Sequence, residues 1–228
     1  MMLGVIIAVY CISTTAAQNA GEKASAEHAT YDEERVSAHA EQMFKRLYIK
    51  RRAEQLDGVK RLLVLGSYEK QYQMVDVIVD NLFSVLQSSR VVLESSGYVP
   101  GISSFPTDEK VRDALANILE NTALFGDILL HLPDISHRVL SSKHEWQVIL
   151  QWSLGFTNQS QLIDKQTRVL VGLVSMELNL TERHPNYVNP YKRQINNLNR
   201  VKEEVKTVNS SKKKKEIKKG PRMSRVEL

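Results

Sequence analysis

The sequence predicts an all-α protein: a single bundle of about five helices with a basic, partly disordered C-terminal tail. Apolar residues recur every three or four positions through most of the chain, which is the spacing of one face of a helix. No segment alternates apolar and polar residues over the length of a strand. Prolines fall between the periodic segments, where they separate helices. We therefore predict one helical domain over residues 41–183.

The first two predicted helices form the N-terminal half of this domain. The first is marked by these apolar positions: Met43, Leu47, Leu56, Val59 and Leu63. The second runs from about Tyr68 to Leu93 and carries one apolar stripe: Val75, Ile78, Val79, Leu82, Val85 and Leu86. A loop is expected between Gly97 and Pro106. A long coiled coil is the alternative to the bundle, but no heptad seam continues for more than two or three repeats.

Three further helices are predicted after this loop. Thr107 is the expected N-cap of the third helix, whose stripe consists of Val111, Leu115, Ile118, Thr122, Phe125 and Leu129. Pro133 is expected in a loop. Ser142 and Glu145 form the expected capping box of the fourth helix. The fifth begins near Ser160, and its apolar positions are Val169, Leu170, Leu173 and Val174.

The N-terminal segment has the pattern of a secretory signal peptide, residues 1–17. An apolar stretch from Leu3 to Ile12 is followed by small residues, and we predict cleavage after Ala17. About ten apolar residues are too few for a helix across a bilayer core of roughly 30 Å, so the chain is not expected to span a membrane. No Lys or Arg precedes the stretch, and a buried N-terminal helix is the alternative. Residues 18–40 are expected to be a flexible N-terminal segment.

The single cysteine, Cys11, lies in the predicted signal peptide, so the mature chain would contain none. Such a chain has no disulfide, cysteine nucleophile, thiolate metal site or redox pair. Its fold must be stabilised by core packing alone, for which roughly 210 residues suffice.

The C-terminal tail, residues 184–228, is basic and ends in a retention-like tetrapeptide. Residues 200–228 contain eleven Lys or Arg and four Glu, a net charge of +7, whereas the rest of the chain has a net charge of −2. The basic patch consists of Lys212, Lys213, Lys214, Lys215, Lys218 and Lys219. We interpret it as part of a solvated spacer; a nuclear-localisation or nucleic-acid patch is the alternative, and no nucleic acid is expected as a partner.

The tetrapeptide itself consists of Arg225, Val226, Glu227 and Leu228. It resembles the signal that the retention receptor of the endoplasmic reticulum reads, with Val226 in place of the usual Asp. A retention signal acts only on a protein that has entered the secretory pathway, so the signal-peptide pattern strengthens the interpretation of the tetrapeptide. Together they predict a protein of the endoplasmic reticulum lumen.

Three sequons match the acceptor pattern of N-glycosylation, at Asn158, Asn179 and Asn209. Asn158 and Asn179 are the expected glycosylation sites. Asn158 is preferred because it follows residues 155–157, which are expected to end a helix. Asn209 lies close to the C-terminus.

No motif of catalysis is present in the sequence. The chain contains no phosphate loop, nucleophile elbow or zinc-protease helix. His131, Asp134, His137 and His144 gather around one predicted loop, but their spacing fits no standard metal site, and surface histidines are the preferred interpretation. We therefore predict a non-enzymatic protein without catalytic residues, metal, cofactor or small-molecule substrate.

Three further features each allow two interpretations. Asp76 and Asp80 are solvent-exposed side chains on the polar side of a helix, or else a carboxylate pair. Trp146 and Trp152 are anchors in the core or at an interface. Gly126 costs helix stability, about 1 kcal/mol relative to Ala, and indicates close helix packing or a partner surface.

Several segments in order resemble the coiled-coil domain-containing protein 134 family. The resemblance is carried by residues 68–93, residues 120–127, the sequon at Asn158 and residues 219–225. It extends from about Tyr48 to the C-terminus. This sequence departs from the family's pattern at Val226, where the family has a small polar residue, and in an Ala- and Glu-rich stretch over residues 20–40.

This resemblance implies a soluble protein of the endoplasmic reticulum that is partly secreted. It implies a function in the biogenesis of endoplasmin, the lumenal Hsp90 chaperone, which family members protect from excessive N-glycosylation. It also implies dampening of MAP kinase (ERK and JNK) signalling and a nuclear role with an acetyltransferase adaptor. The residues themselves favour a lumenal accessory factor that binds a protein partner. A secreted cytokine-like ligand and a nuclear regulator are the alternatives.

Overall fold

A computed structural model describes residues 35–183 and 185–191 of the chain. These residues form six helices and no strand, which confirms the all-α prediction. The helices are α1 (35–64), α2 (Tyr68–Ser95), α3 (Glu109–His131), α4 (Pro133–Ser142), α5 (Glu145–Gln159) and α6 (Lys165–Glu177). Helix α1 already includes residues 35–40, which the sequence assigned to the N-terminal segment.

Helix α3 is the centre of the bundle, and it packs against α2, α4, α5 and α6. Its C-terminal part is buried continuously from Phe125 to His131, because neighbouring helices cover it on all sides. The six positions of its predicted stripe are all buried. The stripe predicted for α2 is also confirmed, since four of its positions are buried and Ile78 and Val85 are half-buried.

Aromatic side chains join three of the helices. The ring of Phe83 on α2 packs edge-on against Phe125 of α3, with ring centroids 5.4 Å apart. On its other side it stacks with Trp146 of α5, at 4.9 Å between centroids. Trp152 lies 5.1 Å from Phe156, again between ring centroids. Both tryptophans are half-buried against the core, as the anchor interpretation predicts.

Gly126 allows α3 and α6 to approach each other closely. A Cβ atom at this position would lie 2.9 Å from Cγ2 of Val174 and 3.4 Å from Cγ of Leu170, both buried residues of α6. A side chain would therefore overpack the contact between the two helices. Of the two interpretations of Gly126, the structure supports close helix packing.

Both predicted helix caps are wrong. The N-cap of α3 is Asp108, whose side chain accepts a hydrogen bond from the Lys110 amide, so Thr107 lies one residue too early. Ser142 is the last residue of α4, and its hydroxyl donates to a carbonyl of that same helix instead of starting α5. Helix α5 begins at Glu145 without a side-chain cap. Ser142 and Glu145 have the spacing of a capping box. However, Ser142 belongs to α4 and Glu145 to α5, so the two residues do not cap one helix.

Pro133 begins a helix, and its assignment to a loop is wrong. It occupies the first turn of α4, where its missing N–H needs no partner and its fixed φ suits a helix. Because only Leu132 separates α3 from α4, the sequence offers no polar linker between the two helices. The described residues therefore form six helices where about five were predicted, and α4 is the additional one.

Some of the predicted apolar positions do not face the core. Met43 and Leu47 of α1 and Val169 of α6 are exposed. The buried side of α1 contains the predicted Val59, and it also contains Tyr48, which the predicted stripe left out, and a charged residue that hydropathy does not select. Helix α6 also begins later than predicted, at Lys165, behind an Asp164 N-cap that accepts from the Gln166 amide.

Candidate functional site

Both expected glycosylation asparagines are exposed. Asn158 lies in the last turn of α5, which continues to Gln159, so the expected helix end before Asn158 is wrong. Asn179 follows α6 with φ of 55°, a left-handed conformation that Asn tolerates better than most residues. The remaining sequon positions differ: Ser160 is buried, whereas Thr181 is exposed. A glycan on either asparagine would extend into solvent without displacing the core.

A buried ion pair connects α1 with α3. Nη2 of Arg52 lies 2.6 Å from Oδ2 of Asp127, and the two side chains are 10% and 2% exposed. Nη1 of Arg52 donates to Oε1 of Gln55 at 2.7 Å. Among the described residues, Nε of Arg52 is buried and has no acceptor. Burial raises the pKa of the Asp127 carboxyl, and the charge and hydrogen bond of Arg52 oppose that shift.

The chain after α6 packs beside this ion pair. His131 is buried, contrary to the expectation of a surface histidine, and its Nδ1 donates to the carbonyl of Asp127 at 2.8 Å. The His131 ring packs on Tyr191, with centroids 4.2 Å apart. Nδ2 of Asn189 donates to the carbonyl of Leu130 at 2.7 Å. These contacts hold the segment 185–191 against the C-terminal end of α3.

An open cavity of about 200 Å³ lies between α1 and α6, and Tyr191 lines it. We call it the α1–α6 groove. Its polar part consists of the ion pair and of Asp164, Gln166 and Thr167. Its apolar part includes Ile49, Ala53 and Leu56 of α1 and Leu170 of α6. Ile49 is 56% exposed, so the apolar edge of the groove faces solvent. The groove thus combines charged side chains with uncovered apolar surface, which is the pattern of a binding site.

A chain of hydroxyl hydrogen bonds connects buried Tyr48 with two residues that line the groove. Oη of Tyr48 donates to Oγ1 of Thr167 at 3.3 Å, and Thr167 donates to Oδ1 of Asp164 at 2.6 Å. Tyr48 is almost completely buried, and burial raises its pKa to about 12.

The raised pKa of Tyr48 predicts a loss of stability at alkaline pH. Below the unfolded-state pKa of about 10, the hydroxyl is protonated in both states and adds no pH dependence. Between pH 10 and 12 the unfolded chain loses this proton while the folded chain keeps it, which lowers the free energy of unfolding by roughly 2–3 kcal/mol. The free energy of unfolding, measured in urea at pH 8, 10 and 11, should fall less steeply with pH for Tyr48→Phe than for the natural chain. Exposed Tyr68 is the control: if Tyr68→Phe flattens the decline equally, this assignment is wrong.

Asp76 and Asp80 are both partly exposed and are bridged by one cation. Nζ of Lys143 lies 3.2 Å from Oδ1 of Asp76 and 2.5 Å from Oδ1 of Asp80. It also lies 4.3 Å from the ring centroid of Trp146. Burial lowers the pKa of Lys143, but the hydrogen bonds to Asp80 and Asp76 outweigh this effect and raise the pKa overall. The two carboxylates therefore bind a lysine that fixes the segment before α5.

The histidines and Asp134 around α4 do not converge on one point. His131 faces the backbone of α3, whereas Nε2 of His137 lies 3.9 Å from a carboxylate oxygen of Glu177. His144 contacts Gln147 through Nδ1 at 3.4 Å. Within residues 35–183 and 185–191, no group of three His, Cys, Asp or Glu side chains is arranged to hold a metal ion.

The predicted terminal sites lie outside the described residues. These are the cleavage site at Ala17, the basic patch from Lys212 to Lys219 and the tetrapeptide 225–228. In the part of the chain that is described, no helix is both long and apolar enough to cross a membrane.

Sequence reasoning missed the Arg52–Asp127 pair. A signal was present on each helix, because Arg52 follows Tyr48 by four residues on the buried side of α1, and Asp127 interrupts an apolar run in α3. Two isolated charges of opposite sign on apolar helix faces suggest a pair. Their contact across 75 residues of sequence is visible only in the tertiary structure.

Comparisons with known proteins agree on one family. Residues 29–224 match the family model described as "ERK and JNK pathways, inhibitor". The chain is 34% identical to coiled-coil domain-containing protein 134 of Xenopus tropicalis over 195 residues, which cover 81% of this chain and 84% of that relative. It is 33% identical to the protein of the same name from Mus musculus over 192 residues, which cover 80% and 83%. No solved structure matches the chain.

Neither the family description nor the names of these relatives is that of an enzyme. The match spans most of the chain and most of each relative, and it includes all six helices. The chain therefore belongs to the coiled-coil domain-containing protein 134 family.

Proposed function

We propose that this protein is an accessory factor of the endoplasmic reticulum lumen, a non-enzymatic helical protein that binds an endoplasmin-like chaperone. One observation carries the lumenal location: a signal-peptide pattern at residues 1–17 stands in the same chain as a closing Arg-Val-Glu-Leu at 225–228. A signal peptide sends a chain into the secretory pathway, and the tetrapeptide resembles the signal by which a receptor returns proteins to the endoplasmic reticulum. The proposed chaperone partner rests on the family resemblance.

The exposed sequons support a lumenal location. Glycosyl transfer to asparagine takes place in the secretory pathway, and a used site must tolerate a bulky, solvated sugar. Asn158 and Asn179 meet that requirement because both are exposed. We propose that the chaperone partner is in the same compartment. There, this protein would protect the chaperone from excessive N-glycosylation.

Deleting residues 225–228 should release the protein into the medium. The full chain should remain in the cell, with glycans that endoglycosidase H removes, whereas the truncated chain should be secreted with processed glycans. The cell-to-medium ratio and the glycan sensitivity are measured together. Asn158→Gln and Asn179→Gln, alone and combined, identify which sites carry the sugar.

Val226→Asp provides a matched comparison, because it restores the usual residue of the retention signal. This variant should be retained at least as well as the natural chain. Secretion of the natural, truncated and Val226→Asp chains to the same extent would contradict retention. An uncleaved and unglycosylated product in all three would contradict entry into the secretory pathway altogether.

The proposed partner is tested in cells that lack this protein. There, endoplasmin should carry additional glycans and migrate more slowly on gels until endoglycosidase H removes them. Re-expression of the full chain should restore normal migration, and a form without residues 2–17 should not. An unchanged glycan number on endoplasmin would contradict the partner while leaving the lumenal location intact.

The second candidate function is dampening of ERK and JNK signalling, which the description of the matching family model favours. Phosphorylation of the two kinases after growth-factor stimulation should fall when the chain is expressed. Comparing the full chain, the chain without residues 225–228 and the chain without residues 2–17 shows where it acts. An effect of the secreted form supports a ligand, and an effect confined to the form without the signal peptide supports a nuclear or cytosolic regulator.

A further inference from the structure

The α1–α6 groove has one feature that no contact among the described residues explains. Its apolar edge, formed by Ile49, Ala53 and Leu56, lies next to solvent. Uncovered apolar surface beside a cavity is typical of a site that binds an apolar segment. A segment that enters the groove with apolar side chains would cover this edge.

We propose that the groove binds the chain's own segment 192–205, the docking segment. The described residues end at Tyr191, which lines the groove. The contact of its ring with His131 holds Tyr191 there. Residue 192 therefore starts at the groove, and the docking segment needs no long linker to reach it. This attachment gives the segment a high effective concentration relative to any separate peptide.

The sequence of the docking segment matches an apolar groove. Its apolar residues are Ile195, Leu198, Val201 and Val205, at intervals of three or four positions. On a helix these side chains fall within one face, roughly 120° wide, and most charged residues fall outside it. Fourteen helical residues span about 21 Å, whereas the positions from Ile49 to Leu56 on α1 span about 10 Å. The segment is thus long enough to cover the apolar edge completely.

This docking leaves residues 206–228 beyond the groove. The basic patch and the closing tetrapeptide therefore remain available to other proteins.

The chemical reactivity of an introduced cysteine tests this proposal on the full chain. Cys11→Ser removes the only natural cysteine, so that Ile49→Cys reports on the groove and Val148→Cys, on α5, reports on open surface. The two native side chains are similarly exposed in the described structure, at 56% and 67%. If the segment docks, Ile49→Cys should react with a maleimide on the order of tenfold more slowly than Val148→Cys.

Charges on the apolar face of the segment should abolish this protection. Ile195→Asp with Leu198→Asp should raise the rate at Ile49→Cys to that at Val148→Cys. The matched control, Thr207→Asp with Ser211→Asp, adds the same charge beyond the segment and should leave the rate unchanged. An unchanged rate at Val148→Cys in both chains verifies that the bundle is intact.

Cross-linking gives a second and independent readout. Under mild oxidation, Ile49→Cys with Leu198→Cys should form a disulfide within one chain, whereas Val148→Cys with Leu198→Cys should not. Equal maleimide rates at Ile49→Cys and Val148→Cys in the otherwise unchanged chain would overturn the proposal. Protection that disappears on dilution, together with disulfides between chains, would also overturn it and identify a second copy as the occupant.

Discussion

Replacing Asp127 with alanine is expected to lower the free energy of unfolding by about 3–5 kcal/mol, because it leaves the Arg52 guanidinium buried without a counter-ion. The pair is almost completely enclosed, with side-chain exposures of 10% and 2%. A guanidinium does not lose its proton at any ordinary pH, so it cannot escape this cost by becoming neutral. The midpoint and slope of urea unfolding, followed by far-ultraviolet circular dichroism, give the free-energy change.

Two control variants show whether the unpaired charge causes the loss. Asp57→Ala removes a carboxylate from an exposed ion pair with Lys60 and should leave the unfolding midpoint unchanged. Arg52→Met combined with Asp127→Leu removes both charges at similar volume and should recover most of the stability. If the double variant is as unstable as Asp127→Ala, packing around the pair is the cause, and the electrostatic explanation fails.

Replacing Phe83 with alanine is expected to cost a similar amount, about 3–5 kcal/mol, for a different reason. The ring is 1% exposed and connects α2, α3 and α5 through its contacts with Phe125 and Trp146. Removing it leaves a cavity and deprives both neighbouring rings of their aromatic contact. Urea unfolding measures the loss. Near-ultraviolet circular dichroism should show a weaker tryptophan signal, because Trp146 loses the ring it stacks on.

Phe83→Leu and Val77→Ala are the comparisons for this variant. Leucine fills much of the cavity, so Phe83→Leu should lose clearly less stability than Phe83→Ala. Val77 lies on the exposed side of α2, and Val77→Ala should stay within about 0.5 kcal/mol of the natural chain. A loss at Val77→Ala equal to that at Phe83→Ala would mean that the exposed side of α2 is covered by another element or molecule.

The Arg52–Asp127 pair and the packing of Phe83 are important because no disulfide connects the described residues. The single cysteine, Cys11, lies outside the described residues. The six helices are therefore held together by packing and hydrogen bonds. A loss of several kcal/mol is a large fraction of the 5–15 kcal/mol by which a typical domain is stable.

The sequence by itself determined which segments are helical where the pattern is strong. For α2 and α3 the apolar stripes were predicted position by position, because a helix that is buried on one face repeats its apolar residues with the helical period. Sequence alone also supplies the signal-peptide pattern, the sequons and the closing tetrapeptide. These are patterns of short linear segments, so they are visible without any tertiary context.

The tertiary structure decided which side of each outer helix is buried and which charges meet. Met43 and Leu47 are apolar yet exposed, whereas Arg52 is charged yet buried, because burial depends on where α3 and α6 cross α1. Pro133 fits a loop and the first turn of a helix equally well by local rules, and packing selected the helix. The Arg52–Asp127 pair and the α1–α6 groove exist only because the fold brings distant residues together, and a local sequence pattern contains no information about that distance.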